Sequence, residues 1–101
     1  MNEQRSIICE AIQKRLLLEF RYGGLPRVVE PYAHGISTRG TEVLRAVQVG
    51  GSSNSGGFGY GKLWALEEIT ALRITTETFP ADDPYFHPQD NQMARIHCRI
   101  Q

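Results

Sequence analysis

A strand–turn–strand pattern over residues 20–31 constrains the fold of this chain more than any other feature. The segment reads FRYGGLPRVVEP. Phe20 and Tyr22 are separated by one charged residue, as expected for the alternating faces of a strand, and the glycine pair that follows can supply the positive φ angles of a tight turn. In the next strand, Pro26 and Pro31 indicate a sheet edge or a strand end. The segment therefore predicts an antiparallel hairpin.

One helix is predicted before this hairpin and several strands after it. Apolar residues recur at helical spacing over about residues 3–15, which indicates an amphipathic helix. Alternating or β-branched segments predict the later strands, at about residues 34–37, 42–49, 62–66, 71–79 and 94–100. Together these elements predict a mainly β fold: an N-terminal α-helix on a strongly bent antiparallel sheet of five or six strands, closing as an Sm-like or SH3-like barrel.

The length of 101 residues predicts a single domain. We expect its helix at about 3–15, its barrel core at about 17–79, and a C-terminal wrap and strand at 80–101.

The segment 50–61 is rich in Gly, Ser and Asn and predicts a mobile hairpin loop. Its GGFGYG run lacks the Lys-Ser/Thr ending of a phosphate-binding loop, so that motif is absent. Phe58 and Tyr60 would still be available as a lid over a ligand or as contacts to a partner.

Charge and cysteine usage predict a cytoplasmic protein without a membrane segment. Eleven basic residues balance eleven acidic ones, which argues against strong non-specific binding to duplex nucleic acid. Cys9 and Cys98 are too few for a disulfide scaffold and predict two buried free thiols in a reducing compartment. No apolar run approaches the roughly 20 residues of a membrane helix, and the charged N-terminus is not a secretory signal.

Five short segments occur in a characteristic order between residues 7 and 79. They are IICEAI (7–12), FRYGG (20–24), RVVEP (27–31), RGTEVL (39–44) and LWALEEI (63–69). In this order they resemble the WYL domain, a prokaryotic module with an Sm-like or SH3-like β-barrel core. The chain would be a divergent, free-standing member, because Glu42-Val43-Leu44 stands where the family has Trp-Tyr-Leu and both arginines of the later family signature are replaced.

The resemblance implies a non-enzymatic ligand-sensing or regulatory module. WYL domains commonly belong to transcription regulators, and some accompany phage-defence systems. Their ligand is often suspected to be a nucleotide or a nucleic acid. For this chain the resemblance implies binding of a nucleotide or single-stranded nucleic acid in a bacterial regulatory or phage-defence context.

Cations and aromatic or polar-tipped rings alternate along the predicted strands and are the candidate ligand-binding residues. They are Arg21, Arg27, Tyr32, His34, Arg45, Lys62 and Trp64. Cations neutralise phosphates, while ring faces stack bases at roughly 1–3 kcal/mol each. The alternative is that the arginines form surface pairs with Glu19, Glu30 and Glu42 and that the aromatic residues fill the core.

The residues predict no catalytic group, cofactor or metal site. His34, His87 and His97 are scattered and show no zinc-type spacing with the cysteines. No serine has a His/Asp companion at a recognisable spacing, although a triad is assembled in space rather than in sequence.

A second function class remains open, a protein–protein interaction or oligomerisation domain without a small ligand. Residues 94–100 predict a strand with an apolar face and a basic face, the latter made of Arg95, His97 and Arg99. A terminal strand of this kind must pair with another strand. It could do so in a homodimer or by docking on a larger protein.

Overall fold

One helix and six strands form the protein in a computed structural model, which describes residues 2–52, 61–84 and 86–100. The elements are α1 (Asn2–Lys14), β1 (Leu16–Tyr22), β2 (Leu25–Ser37), β3 (Glu42–Gly51), β4 (Gly61–Ala65), β5 (Thr70–Thr78) and β6 (Met93–Arg99). A 3-10 turn over Leu66–Glu68 joins β4 to β5. The predicted lid residues Phe58 and Tyr60 lie outside the described residues. No helix in the described part of the chain is long and apolar enough to cross a membrane.

The strands form a single antiparallel sheet in the order β4-β3-β2-β1-β5, and β6 pairs with β2 off this path. The sheet is strongly curved but not closed, since no pairing joins β4 to β5 among the described residues. This architecture is compatible with a small barrel-like fold. The prediction of a mainly β protein with an N-terminal helix and a bent antiparallel sheet is therefore confirmed, whereas the separate strand predicted at 34–37 is the end of β2.

The hairpin that the sequence predicts connects β1 to β2. Tyr22 pairs with Leu25 across the turn, and Gly23 and Gly24 have φ angles of 61° and 77°. These values lie in the left-handed region, which glycine adopts without the steric cost of a Cβ atom. The glycine pair therefore fixes the register in which Leu18 faces Val29.

The main core lies between α1 and one face of the sheet. Ile8 and Ile12 of α1 are completely or almost completely buried, as the helical spacing of apolar residues predicts. The sheet contributes the buried side chains of Leu18, Phe20, Val29, Leu44, Ala46 and Trp64. Burying a large apolar side chain stabilises the fold by about 1.5–3 kcal/mol, so this cluster is the main apolar contribution to stability.

Pro31 does not mark a sheet edge or a strand end, as the sequence led us to expect. It is buried in the middle of β2, the strand with the most partners. On one side of β2, pairing with β1 ends at Val29 and pairing with β6 begins at Ala33. Pro31 falls in the interval where the partner changes, so its missing N–H costs no ladder hydrogen bond on that side.

Cys9 and Cys98 form a disulfide, so the prediction of two free thiols is wrong. Their Cα atoms are 5.7 Å apart and their sequence separation is 89 residues. The bridge joins α1 to β6. The local patterns placed one cysteine on the helix and the other on the last strand, where both are half-buried, but they carry no information about which distant elements meet.

Close backbone contact also holds β6 against β2. Gly35 of β2 lies opposite Ile96, and a Cβ atom added to Gly35 would be 2.0 Å from the backbone oxygen of Arg95. Only a residue without a side chain allows this approach. The main chain of β6 can therefore reach β2 because residue 35 is glycine.

Candidate functional site

The structure places the seven predicted ligand-binding residues in three groups and leaves one of them apart. Arg27, Lys62 and Trp64 lie together. Tyr32 and Arg45 line a separate cleft. His34 belongs to a third cluster with Glu42 and His97. Arg21 is exposed at the hairpin, where its Nη2 donates a hydrogen bond to the carbonyl oxygen of Gly24 over 2.6 Å.

Two cations lie against the ring of Trp64 in the first group, which we call the tryptophan site (Tyr22, Arg27, Lys62 and Trp64). Lys62 Nζ is 4.3 Å from the ring centroid, and Arg27 Cζ is 5.6 Å from it. Both distances are within the range of favourable cation–π interaction. Lys62 and Trp64 are two residues apart on β4 and therefore project from the same face of that strand.

Packing fixes the Trp64 ring in this position. Its Nε1 donates a hydrogen bond to the carbonyl oxygen of Ala46 over 3.2 Å, and its edges contact the rings of Phe20 and Tyr22 at centroid distances of 5.3 and 5.0 Å. Only 1% of Trp64 is exposed. The ring therefore supports the two cations and has no free face for a base to stack on.

Arg27 is almost completely buried, with 4% of its surface exposed, and its hydrogen-bond acceptors among the described residues are all neutral. Nε and Nη2 donate to the carbonyl oxygen of Tyr22, and Nη1 donates to Oε1 of Gln48. Gln48 is held in turn by Nε2 hydrogen bonds to the carbonyl oxygens of Gly50 and Ser52. A buried charge without a counter-charge is unfavourable, and neutral hydrogen bonds compensate only part of that cost.

Lys62 is exposed at the rim of the tryptophan site and carries the second positive charge. Although Lys62 is exposed overall, partial burial of its ammonium group lowers its pKa from the ordinary value, and the neighbouring charge of Arg27 lowers it further. Among the described residues, no carboxylate lies within salt-bridge distance of either Lys62 or Arg27. The site therefore combines two positive charges with no described carboxylate within salt-bridge distance, and the acidic group that the site does contact is Glu68, beside the Tyr22 hydroxyl.

The three glutamates that could have paired with the candidate arginines interact with other residues instead. Glu19 pairs with Arg73, while Glu30 accepts a hydrogen bond from the Tyr32 hydroxyl. Glu42 lies beside the two histidines. In the described part of the chain, these three glutamates thus leave Arg21 and Arg27 without an acidic partner.

The second group lines a cleft of about 770 Å³ between β3 and the C-terminal wrap. Here the charge of Arg45 is already neutralised, because its Nε and Nη2 donate to both carboxylate oxygens of Asp90 at 2.7 and 3.1 Å. Burial alone would raise the pKa of Asp90, but the hydrogen bonds from Arg45 and from the Gln92 N–H hold that pKa below its ordinary value. Arg45 therefore fastens the wrap to β3.

Acidic groups gather at the Tyr32 end of this cleft. The Tyr32 hydroxyl donates to Glu30 and accepts from the N–H of Asp83 at 3.0 Å, and burial raises the pKa of Tyr32 to about 12. Burial, and then the charges of Asp82 and Asp83, raise the pKa of Glu30 above its ordinary value. This concentration of carboxylates makes the cleft a poorer place for an anion than the tryptophan site.

The third group, the histidine cluster, consists of His34 on β2, Glu42 on β3 and His97 on β6. His34 Nδ1 is 2.8 Å from the carbonyl oxygen of Val43. Glu42 Oε1 is 3.6 Å from His34 Nε2 and 3.3 Å from His97 Nε2. The expectation that the histidines are scattered holds for the sequence, but two of the three converge in space.

A register shift explains why sequence reasoning missed this cluster. His34 lies opposite Cys98, whereas Gly35 lies opposite Ile96. His97 is therefore an extra residue on β6, as in a β-bulge, and such an irregularity re-aims a side chain. Strict alternation placed His97 on a basic face with Arg95 and Arg99, but in the structure it lies inside, against His34. No local sequence pattern in residues 94–100 indicates the extra residue.

Comparisons with protein-family models, curated proteins and solved structures found no match for this chain.

Proposed function

We propose that this protein is a non-enzymatic binding module that recognises an anionic ligand of the nucleotide or single-stranded nucleic acid class at the tryptophan site. One observation carries the proposal: Arg27 and Lys62 lie against a single indole ring, and neither has an acidic partner among the described residues. A phosphate group supplies the missing negative charge.

The charges at this position favour a bound anion. The charge of Arg27 disfavours the protonated form of Lys62, and a bound phosphate would favour that form by the same kind of interaction. Lys62 is exposed and can contact the phosphate directly, whereas Arg27 is buried and acts through its field. Hydrogen bonds to charged groups contribute about 1.5–3 kcal/mol each, so Lys62 is expected to carry most of the affinity.

The resemblance to WYL domains supports a sensing or regulatory role for this binding, in the bacterial regulatory or phage-defence context inferred above. That assignment rests on the order of the five sequence segments. A cytoplasmic location fits a nucleotide or nucleic-acid ligand, whereas the Cys9–Cys98 disulfide is more typical of an oxidising compartment. Acid-quenched alkylation of thiols in cells, followed by mass spectrometry, would show whether the two cysteines are reduced, as expected in the cytoplasm, or disulfide-bonded, as expected in an oxidising compartment.

The binding test uses Trp64, the only tryptophan in the chain, as its reporter. We expect nucleoside triphosphates or short single-stranded oligonucleotides to change its fluorescence in a saturable way, with an affinity that falls as salt rises. Lys62→Gln should weaken binding more than about tenfold, because 1.4 kcal/mol corresponds to a factor of ten.

Arg39→Gln is the matched control for this test, since Arg39 is an exposed cation in the turn between β2 and β3. It removes the same charge at a distant position and should change the affinity less than about twofold. Equal losses of affinity in the two variants would show that only the net charge of the protein matters, which would contradict binding at the tryptophan site. Absence of saturable binding by every nucleotide and oligonucleotide, checked by calorimetry, would reject the proposal.

A second candidate function is self-association through a strand edge. The outer edges of β4, β5 and β6 have no strand partner among the described residues, and free edges can pair with another chain. Light scattering across a concentration series tests this candidate. A dimer whose population rises with concentration supports it, and a monomer at the highest concentration leaves it without support.

A further inference from the structure

We propose that His34, Glu42 and His97 form a binding site for a divalent transition-metal ion, with Zn²⁺ as the best-fitting ion. The site is separate from the tryptophan site and does not depend on it. Two imidazole nitrogens and one carboxylate are a common zinc ligand set, with a fourth position left for water or another donor.

The tautomer of His34 supplies the first argument. Its Nδ1 lies 2.8 Å from the carbonyl oxygen of Val43, and a carbonyl can only accept a hydrogen bond, so Nδ1 carries the proton. In a neutral imidazole this leaves a lone pair on Nε2. A hydrogen bond from one ring nitrogen to a backbone carbonyl is also the usual second-shell arrangement of a metal-ligating histidine.

The environment of His34 Nε2 supplies the second argument. His34 is completely buried, and its Nε2 atom has no hydrogen-bond partner among the described residues. It faces Glu42 Oε1 at 3.6 Å, so a lone pair points at an acceptor group. Buried polar atoms almost always have a partner, and a cation between the nitrogen and the carboxylate would satisfy both.

Protonation of His34 is the competing way to satisfy these two groups. Burial lowers the pKa of His34; the hydrogen bond to the Val43 carbonyl opposes this shift in part, and the neighbouring His97 and Arg5 add to it. A metal ligand requires the neutral ring, and the hydrogen bond from Nδ1 to the Val43 carbonyl oxygen leaves Nε2 as the donor atom of that ring. The positive charge of Arg5 on α1 also acts against a bound cation, so we expect moderate rather than extreme affinity.

The distances supply the third argument. Zinc–nitrogen and zinc–oxygen bonds of about 2.0–2.1 Å in a tetrahedron separate two ligand atoms by about 3.4 Å. Glu42 Oε1 is 3.6 Å from His34 Nε2 and 3.3 Å from His97 Nε2. All three donor atoms lie within 4.8 Å of one another. Small side-chain rotations would thus bring the three donors to tetrahedral positions around one ion.

The test measures binding of Zn²⁺ alone to the oxidised full chain, by competition with a chromophoric chelator, and of Co²⁺ by its visible absorption. We expect one ion per chain, a raised thermal midpoint and the intense bands of four-coordinate Co²⁺. His97→Gln and Glu42→Gln should each weaken Zn²⁺ binding more than about 100-fold, beyond the 10–100-fold typical of second-shell changes.

His87→Gln is the matched control, because His87 is an exposed histidine in the C-terminal wrap. It should leave affinity and the Co²⁺ spectrum unchanged. Since His34→Gln alters a buried residue and could fail to fold, His97→Gln and Glu42→Gln decide the question. The proposal is overturned if neither metal binds at millimolar concentration, if binding survives both of these substitutions, or if His87→Gln removes it equally.

Discussion

Replacing both Cys9 and Cys98 by serine is expected to lower the free energy of unfolding by about 2–5 kcal/mol. The bridge closes a loop whose ends are 89 residues apart, so it restricts nearly the whole unfolded chain. In the chain-entropy model, a loop of this size corresponds to about 4.5 kcal/mol at 25 °C. Domains of this kind have total stabilities of only about 5–15 kcal/mol, so the loss would be a large fraction.

Urea denaturation, monitored by circular dichroism, measures this effect. The double variant and the reduced wild-type protein should unfold at similar, lower urea concentrations, and a reductant should not change the variant further. If oxidised and reduced wild-type protein have the same midpoint, the bridge either does not form or contributes nothing to stability.

Gly35→Ala is expected to destabilise the fold by about 1–3 kcal/mol or more, the range for overpacking a close contact. The new Cβ atom would lie 2.0 Å from the backbone oxygen of Arg95 and 2.9 Å from the Cα atom of Ile96. Both are backbone atoms, so no side-chain rotation relieves the clash. The main chain of β6 must move away from β2, and its ladder from Ala33 to Ser37 must weaken.

Hydrogen exchange separates this local effect from general destabilisation. Amides of β6 should lose protection first in Gly35→Ala, before those of the β1–β2 hairpin. Gly61→Ala is the matched control, because its new Cβ atom would be 3.5 Å from its nearest neighbour, an Arg45 side-chain atom, which is an ordinary contact. A Gly35→Ala protein as stable as Gly61→Ala would contradict the close approach of β6.

Sequence patterns predicted the elements of this fold because those elements depend on local periodicity. The glycine pair marked the first hairpin, alternation marked β1, and β-branched residues marked β3. The 3-10 turn Leu66–Glu68 lies between the strands that the sequence predicted at 62–66 and 71–79. Helical spacing placed α1 within one residue of its observed ends. In each case the signal lies within about ten residues of the structure that it predicts.

Long-range features were missed for the same reason. The Cys9–Cys98 bridge, the partner change at Pro31 and the extra residue at His97 all depend on which distant strands meet. Strand alternation even gave the wrong face for His97, because one inserted residue reverses the pattern.

The candidate site was predicted in part. Arg27, Lys62 and Trp64 converge, whereas Tyr32 and Arg45 lie in the cleft and His34 in the histidine cluster. Curvature of the sheet decides which cations meet, and a list of residues along the strands does not contain that information. The nucleotide ligand itself stays a prediction.

The pKa of Lys62 tests the central claim most directly, namely that Lys62 and Arg27 form an unneutralised cationic pair awaiting an anion. Lys14 and Lys62 are the only lysines in the chain, so Lys14→Arg leaves one lysine signal for an NMR pH titration. We expect Lys62 to titrate below 10.5 in the free protein and at higher pH once a nucleotide is bound. A value at or above 10.5 that no nucleotide changes would contradict this account.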